Sequence, residues 1–203
     1  MNTTLSYYEK NASKLAKRYE LANVTTLQQR LLESFLPHQH LLELGCGSGR
    51  DASFMYENGY NIIAIDGSKK MIEEAKKRHP RLSHYLFTLQ LPHGLHFTDA
   101  SFEGIYSIAT LMHLSKDEII QTLQKIYRLL KKEGKLLFSV SIQRDDTDQK
   151  GQDIHQRLFT SLSKEEWIRL CIKEGFTLLH TEVTNDGLGR GGIIWLTCIV
   201  EKP

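Results

Sequence analysis

The chain is expected to fold as an α/β three-layer sandwich around a mostly parallel sheet. Short apolar runs alternate with amphipathic helical stretches between residues 40 and 141, and the last two apolar runs follow one another with no helix between them. Alternation of that kind produces βαβ units with parallel pairing. The connection at 185–192 is too short for a crossover, so the final two strands form an antiparallel hairpin.

Each element has its own warrant. Leu5, Tyr8, Ala12, Leu15, Ala16 and Tyr19 recur at three- and four-residue spacings and share one helical face. A second helix runs over 25–35, with Asn23 or Thr25 as its cap and Pro37 as its stop. Strands are expected at 40–44, 60–65, 83–88, 104–110 and 135–141. Helices fall between them at 49–57, at 68–78 (capped by Ser68) and at 116–130, where Ile119, Leu123, Ile126 and Leu130 form the apolar face. A polar connection at 143–157 precedes a helix at 164–174 and the hairpin strands at 176–184 and 193–200. The whole, 1–203, reads as one domain: N-terminal helices at 1–36, a cofactor-binding half at 40–141 and a substrate-side half at 142–203.

Composition narrows the function classes. The 203 residues are 40% hydrophobic and 25% charged, with a formal net charge of +2. That balance suits an ordinary globular enzyme and falls short of a dedicated nucleic-acid binder, so nucleic acid is not expected as a partner. No apolar run approaches the ~18 residues of a membrane helix, and the N-terminus lacks the apolar core of a signal peptide; a cytoplasmic address without membrane contact is expected. Cys46, Cys171 and Cys198 are widely separated, which gives neither a disulfide framework nor a metal site.

The chemistry concentrates in Leu41-Leu42-Glu43-Leu44-Gly45-Cys46-Gly47-Ser48-Gly49. A strand feeds a glycine-rich turn that opens a helix. Gly45, Gly47 and Gly49 allow close approach of a ligand, Cys46 is the small residue the turn wants, and the helix start favours an anionic group. A dinucleotide fingerprint needs glycine at position 50, where this chain has Arg50. Glu43 repels a pyrophosphate but accepts from the ammonium of a methionyl group. Asp66, with Gly67, ends the next strand, where a carboxylate accepts from both ribose hydroxyls of an adenosine. Together these residues point to S-adenosyl-L-methionine. A nicotinamide oxidoreductase and a non-catalytic nucleotide-binding module are the alternatives from other classes.

The stretch LLELGCGSGRDASFMYENGYNIIAIDGSKKMIEEA resembles the first two motifs of bacterial class I S-adenosylmethionine-dependent methyltransferases similar to the tellurite-resistance methyltransferase. The likeness extends through YYEKNASKLAKRY, FEGIYSIATLMHL and LQKIYRLLKKEGKLLFSV to DGLGR with its following tryptophan. It implies a Rossmann-like, seven-stranded sheet in the order 3-2-1-4-5-7-6 with strand 7 antiparallel. It also implies N-terminal helices acting as a lid, which brings Tyr7, Tyr8 and Arg18 toward the ligands. Ser68 and Met71 would pack beside the ribose and adenine. Many relatives hold the adenine amino group with an acid after strand 3; here Leu89 and Gln90 stand in that place.

The acceptor side is read from the switch-point rule, by which the tip of the fourth strand faces the ligand crevice. Thr110, expected to contact the cofactor, and His113 leave that tip, and a neutral His113 is the candidate general base, with a rate limb near its ordinary pKa of about 6.5. Arg144, Arg157 and Arg190 lie in loops after the fifth and sixth strands, where guanidinium groups bind an anionic substrate. Gly187 to Gly192 mimics a phosphate loop but leads into a strand, so it reads as a turn. No Asn-Pro-Pro-Tyr or Pro-Cys motif of DNA base methylation occurs. A small-molecule acceptor is expected, with RNA or protein as the alternative.

Overall fold

The computed structural model describes residues 3–186 and 190–203. Residues 187–189, within the turn read at 187–192, lie outside the described residues. Two helices, α1 (Thr3–Glu20) and α2 (Thr25–Ser34), precede the alternating section. That section runs β1 (His40–Leu44), α3 (Arg50–Glu57), β2 (Asn61–Asp66), α4 (Lys69–Arg78), β3 (Leu86–Thr88), β4 (Phe102–Ile108), α5 (Lys116–Leu129) and β5 (Leu130–Arg144). It closes with α6 (Lys164–Lys173), β6 (Thr177–Asn185) and β7 (Ile193–Glu201). The strands make one sheet of seven in the order β3-β2-β1-β4-β5-β7-β6, with β7 antiparallel to both neighbours.

The sheet buries both faces, and successive residues of β1 divide between them. Leu42 and Leu44 join the core under α5 and α6 with Leu123, Ile126, Phe138 and Trp167. Leu41 joins the opposite core with Leu31, Met55, Ile72 and Ala75 from α2, α3 and α4. This two-sided burial explains why the parallel strands read as continuous apolar runs rather than alternating ones.

The caps match side chains to orphan backbone donors. Ser68 accepts from Met71 N at the start of α4, and Ser115 and Ser163 form capping boxes with Glu118 and Glu166. At α2 the cap position is Val24, and Asn23 instead accepts from Thr25 N at 3.2 Å.

Three strands differ from expectation by more than one residue, and the fourth spans Phe102–Ile108 rather than 104–110, which leaves Thr110 beyond its tip. The third strand starts at Leu86, not 83, because Pro80–Leu82 forms a 3-10 turn whose backbone bonds extend to Tyr85 N. The fifth strand starts at Leu130, where the chain passes from α5 into extended backbone, and it continues to Arg144. The sheet order reverses between β1 and β4, which opens a crevice beyond their C-terminal ends, the position in which open α/β sheets bind ligands.

Candidate active site

A cleft of about 590 Å³ opens over the tips of β1, β2 and β4 and extends to the start of β7. At its floor Gly45 N and Cys46 N both donate to Ile65 O, at 2.8 and 2.9 Å, locking the glycine turn onto β2. Gly45 has φ +76°, and a Cβ there would lie 2.0 Å from Thr110 Oγ1. Glycine is therefore required both by conformation and by the approach of β4's tip. Gly47 N donates to Asp66 Oδ2 at 2.9 Å, and Ser68 N donates to Oδ1 at 2.8 Å. Each carboxylate oxygen keeps acceptor capacity for a further donor. Burial pushes the Asp66 carboxyl up, while the two backbone N–H bonds pull it back.

Glu43 is 2% exposed and accepts from the Tyr106 hydroxyl at 3.2 Å. Burial, then the charge of Asp51, holds its carboxyl well above the ordinary range. Arg50 is already committed, since its Nε and Nη2 donate to Asp51 at 3.0 and 2.7 Å and its Nη1 donates to Tyr19 O at 2.7 Å. Two buried carboxylates thus share one guanidinium, and Glu43 lacks a cation of its own. A ligand carrying an ammonium group fits that deficit.

At the tip of β4, the 3-10 turn Leu111–His113 follows the strand. His113 Nδ1 is 2.7 Å from Leu158 O and its Nε2 is 3.0 Å from the Tyr8 hydroxyl. Burial, followed by the positive charges of Arg157 and Arg144, lowers His113 to about 4. The expected rate limb near 6.5 therefore moves down by burial, and His113 is neutral through the physiological range. Burial pushes the Tyr8 hydroxyl up, against the nearby positive charge of Arg157. Leu158 N donates to Thr4 Oγ1 at 2.8 Å, so α1 is fastened to the segment after β5 on both sides of the imidazole.

The three arginines each hold an aspartate through Nε and Nη2. Arg144 bonds Asp146 at 2.8 and 2.7 Å, Arg157 bonds Asp153 at 2.8 and 2.6 Å, and Arg190 bonds Asp186 at 3.1 and 2.6 Å. The Arg144 guanidinium lies 3.9 Å above the Phe159 ring. Trp195 Nε1 donates to Asp186 at 2.9 Å.

The fold brings most of the residues singled out in the sequence to this one cleft. Glu43, Gly45, Cys46, Gly47, Asp66, Gly67 and Gln90 line it, as do Tyr8, Arg18, Thr110, His113, Arg144, Arg157 and Arg190. Five stand behind the wall. Gly49 begins α3 at φ +81° with Ala75 and His79 against it, and Ser68 is spent on its cap. Met71 is buried among Ala12, Leu15 and Ala16 of α1, and Leu89 packs on the main core. Tyr7 stacks on His155 at 4.8 Å. Residues that sequence reasoning did not place here include Tyr19, Asp51, Phe159 and Trp195. Only Tyr19 carried a local signal, its place on the α1 face with Tyr8. The others arrive through long-range packing. Burial raises the Cys46 thiol well above the ordinary value, so it stays a thiol in the turn.

Residues 42–138 match the family model described as a methyltransferase domain. YodH of Bacillus subtilis (strain 168), described as an uncharacterized methyltransferase, is 31% identical over 145 residues, covering 69% of this chain and 60% of its own length. The O-methyltransferase resE of Aspergillus sclerotiorum is 34% identical over 102 residues, 48% of this chain and 38% of its own. The chain thus spans 60% or less of the length of these curated relatives. The crystal structure of 1,6-didemethyltoxoflavin-N1-methyltransferase from Burkholderia thailandensis, with bound 1,6-didemethyltoxoflavin and S-adenosylhomocysteine, superposes with a TM-score of 0.78 at 19% identity, covering 98% of this chain and 87% of that one. Sheet order and glycine turn define the Rossmann-like fold of class I methyltransferases. Residues 42–138 match the methyltransferase-domain model, and the neighbour that shares this fold was solved with S-adenosylhomocysteine bound.

Proposed function

We propose that the protein is an S-adenosylmethionine-dependent methyltransferase acting on a small-molecule acceptor. The observation that carries the reading is the pairing, at one cleft floor, of Asp66 beside Gly47 with Glu43, which lacks a cation of its own. Asp66 suits the ribose hydroxyls, Glu43 the ammonium of the methionyl tail, and Gln90 the adenine edge. When bound, the cofactor supplies an electrophilic methyl on a sulfonium with a neutral thioether as leaving group. The chain's own part is to orient the acceptor and exclude water.

A small acceptor is favoured because α1 and the segment after β5 roof the cleft through Tyr8–His113 and Thr4–Leu158. A cleft of about 590 Å³ is of small-molecule size. The half 40–141 would hold the cofactor and 142–203 the acceptor, and the tellurite-resistance-like grouping drawn from the motifs belongs to the same proposal. Among the described residues no helix is long and apolar enough to cross a membrane.

Titration calorimetry with S-adenosylhomocysteine should give one site per chain, and the melting temperature should rise with ligand. Incubation with methyl-labelled cofactor and fractionated extract should place label in a low-molecular-mass fraction. No heat and no thermal shift at millimolar ligand would overturn the cofactor assignment. Label found only in protein or RNA would overturn the acceptor class.

A further inference from the structure

We propose that the acceptor is an acidic small molecule with a flat apolar body, bound and methylated as its anion between Arg144 and Arg190 against Phe159 and Trp195. The inference rests on the methyltransferase reading above and names the substrate class for the same cleft.

The geometry of the arginines is the first support. Arg144 and Arg190 both spend Nε and Nη2 on an aspartate, and among the described residues Nη1 of each has no partner. A guanidinium clamped by one edge presents its remaining donors in a fixed direction, at little further entropy cost. Arg144 and Arg190 line the cleft, whereas Asp146 does not. Asp146 is half exposed while the Arg144 side chain is only 7% exposed, so water screens the aspartate more than the arginine. The cleft therefore sees the positive member of that pair. Asp186 lies at the wall, but it already accepts from Arg190 N, Nε and Nη2 and from Trp195 Nε1, and its charge is balanced by Arg190.

The second support is that, among the described residues of the cleft, no base stands poised. His113 Nδ1 faces a carbonyl and so carries the proton, which leaves Nε2 to accept from the Tyr8 hydroxyl. Its lone pair is occupied, and the charges of Arg157 and Arg144 lower its basicity further. Glu182 is engaged by Arg30 at 3.1 Å. An acceptor that has already lost its proton to solvent needs none of these groups. The third support is shape. The half-buried Trp195 and Ile108 line the cleft beside Phe159, whose own ring is covered by Arg144 and Arg157, and they offer apolar surface suited to a planar ring.

In the transfer, a lone pair of the acceptor anion forms the bond to the methyl carbon as the carbon–sulfur bond breaks. The electron pair of the broken bond stays on sulfur, so a cation and an anion become two neutral products. The methylated product loses its attraction to Arg144, which favours release.

The test uses 4-nitrophenol, whose anion has its own visible absorption band, and 4-nitroanisole as the neutral counterpart. Both are titrated into protein saturated with S-adenosylhomocysteine, near the midpoint of phenol ionisation. Binding should raise the phenolate fraction and favour the phenolate by at least about tenfold over 4-nitroanisole, the scale of one charge-assisted hydrogen bond. Arg144→Gln should remove most of that preference without changing cofactor-product affinity. Should that variant melt early, Arg190→Gln and the wild-type spectrum carry the test. Equal binding of the two probes, a fall in phenolate fraction, or binding of neither while S-adenosylhomocysteine still binds would overturn the inference. Failure of S-adenosylhomocysteine itself to bind would overturn the methyltransferase reading instead.

Discussion

The Tyr8 hydroxyl stands 3.0 Å from His113 Nε2, joining the first helix to the tip of β4 across 105 positions of chain. Since His113 Nδ1 donates to Leu158 O, the network assigns one neutral tautomer, with Tyr8 as donor to Nε2. The histidine thereby fixes α1 against the turn after β4. Its imidazole is built to stay uncharged.

That arrangement makes stability depend on acid in a defined window. The folded value of His113 is about 4, below the roughly 6.5 of an unfolded histidine. Its contribution is therefore full above about 6.5 and is lost as pH falls toward about 4, because the unfolded chain takes up the proton first. Denaturant melts of wild type and His113→Gln between those limits should show the wild type losing more stability. The variant should also be less stable near neutral pH by about 1–3 kcal/mol, for the partners left unpaired. Parallel pH profiles would sink the buried neutral histidine. A methyl-transfer limb near 6.5 that vanishes in the variant would restore His113 as the base.

Glu43 titrates with the opposite consequence. Burial raises its carboxyl above the ordinary range near 4.3, so its contribution is full below that value and is lost as pH rises through the raised one. The unliganded protein should lose stability over that rise, and Glu43→Gln should flatten the profile. A bound ammonium favours the ionised carboxylate, so S-adenosylhomocysteine binding should release protons, detectable as a buffer-dependent heat. Heats identical in buffers of different ionisation enthalpy would argue against it.

Asp66→Ala should weaken S-adenosylhomocysteine by about 1.5–3 kcal/mol, the range for hydrogen bonds to a charged group. The same change strands Gly47 N and Ser68 N, so a fall in melting temperature should accompany it. Asp66→Asn keeps an acceptor for one of the two and should melt between the others. Calorimetry showing unchanged affinity in Asp66→Ala would reduce Asp66 to a turn-former.

Gly45→Ala should cost roughly 2–4 kcal/mol of folding stability, from the positive φ and from the clash with Thr110. Gly45→Ala in a Thr110→Ser background should recover part of the loss, because one of the clashing side-chain atoms, Cγ2, is gone. Additive losses in the double variant would show that backbone strain alone sets the cost.

Much of this protein is written locally. The strands at 40–44 and near 60–65, the helix capped by Ser68 and the terminal hairpin all follow from short-range patterns, since hydrophobic period and caps act within a few residues. The glycine turn and Asp66 were legible for the same reason: a positive-φ turn and a strand-tip carboxylate are local requirements. The sheet order came from resemblance, because no local pattern says which strands become neighbours.

Tertiary structure alone decided the arrangement around His113, Arg144 and Arg190. Met71 and Ser68 have the right spacing for the ligand, yet α1 packs over the first and α4's start consumes the second. Arg144 and Arg190 read alike in sequence, but only the folded chain shows that, among the described residues, each keeps one nitrogen without a partner and that Phe159 lies under the first. Sequence determines which charges and rings are available. Burial, and the partners that long-range packing assigns, decide which of them face the cleft and in what protonation state.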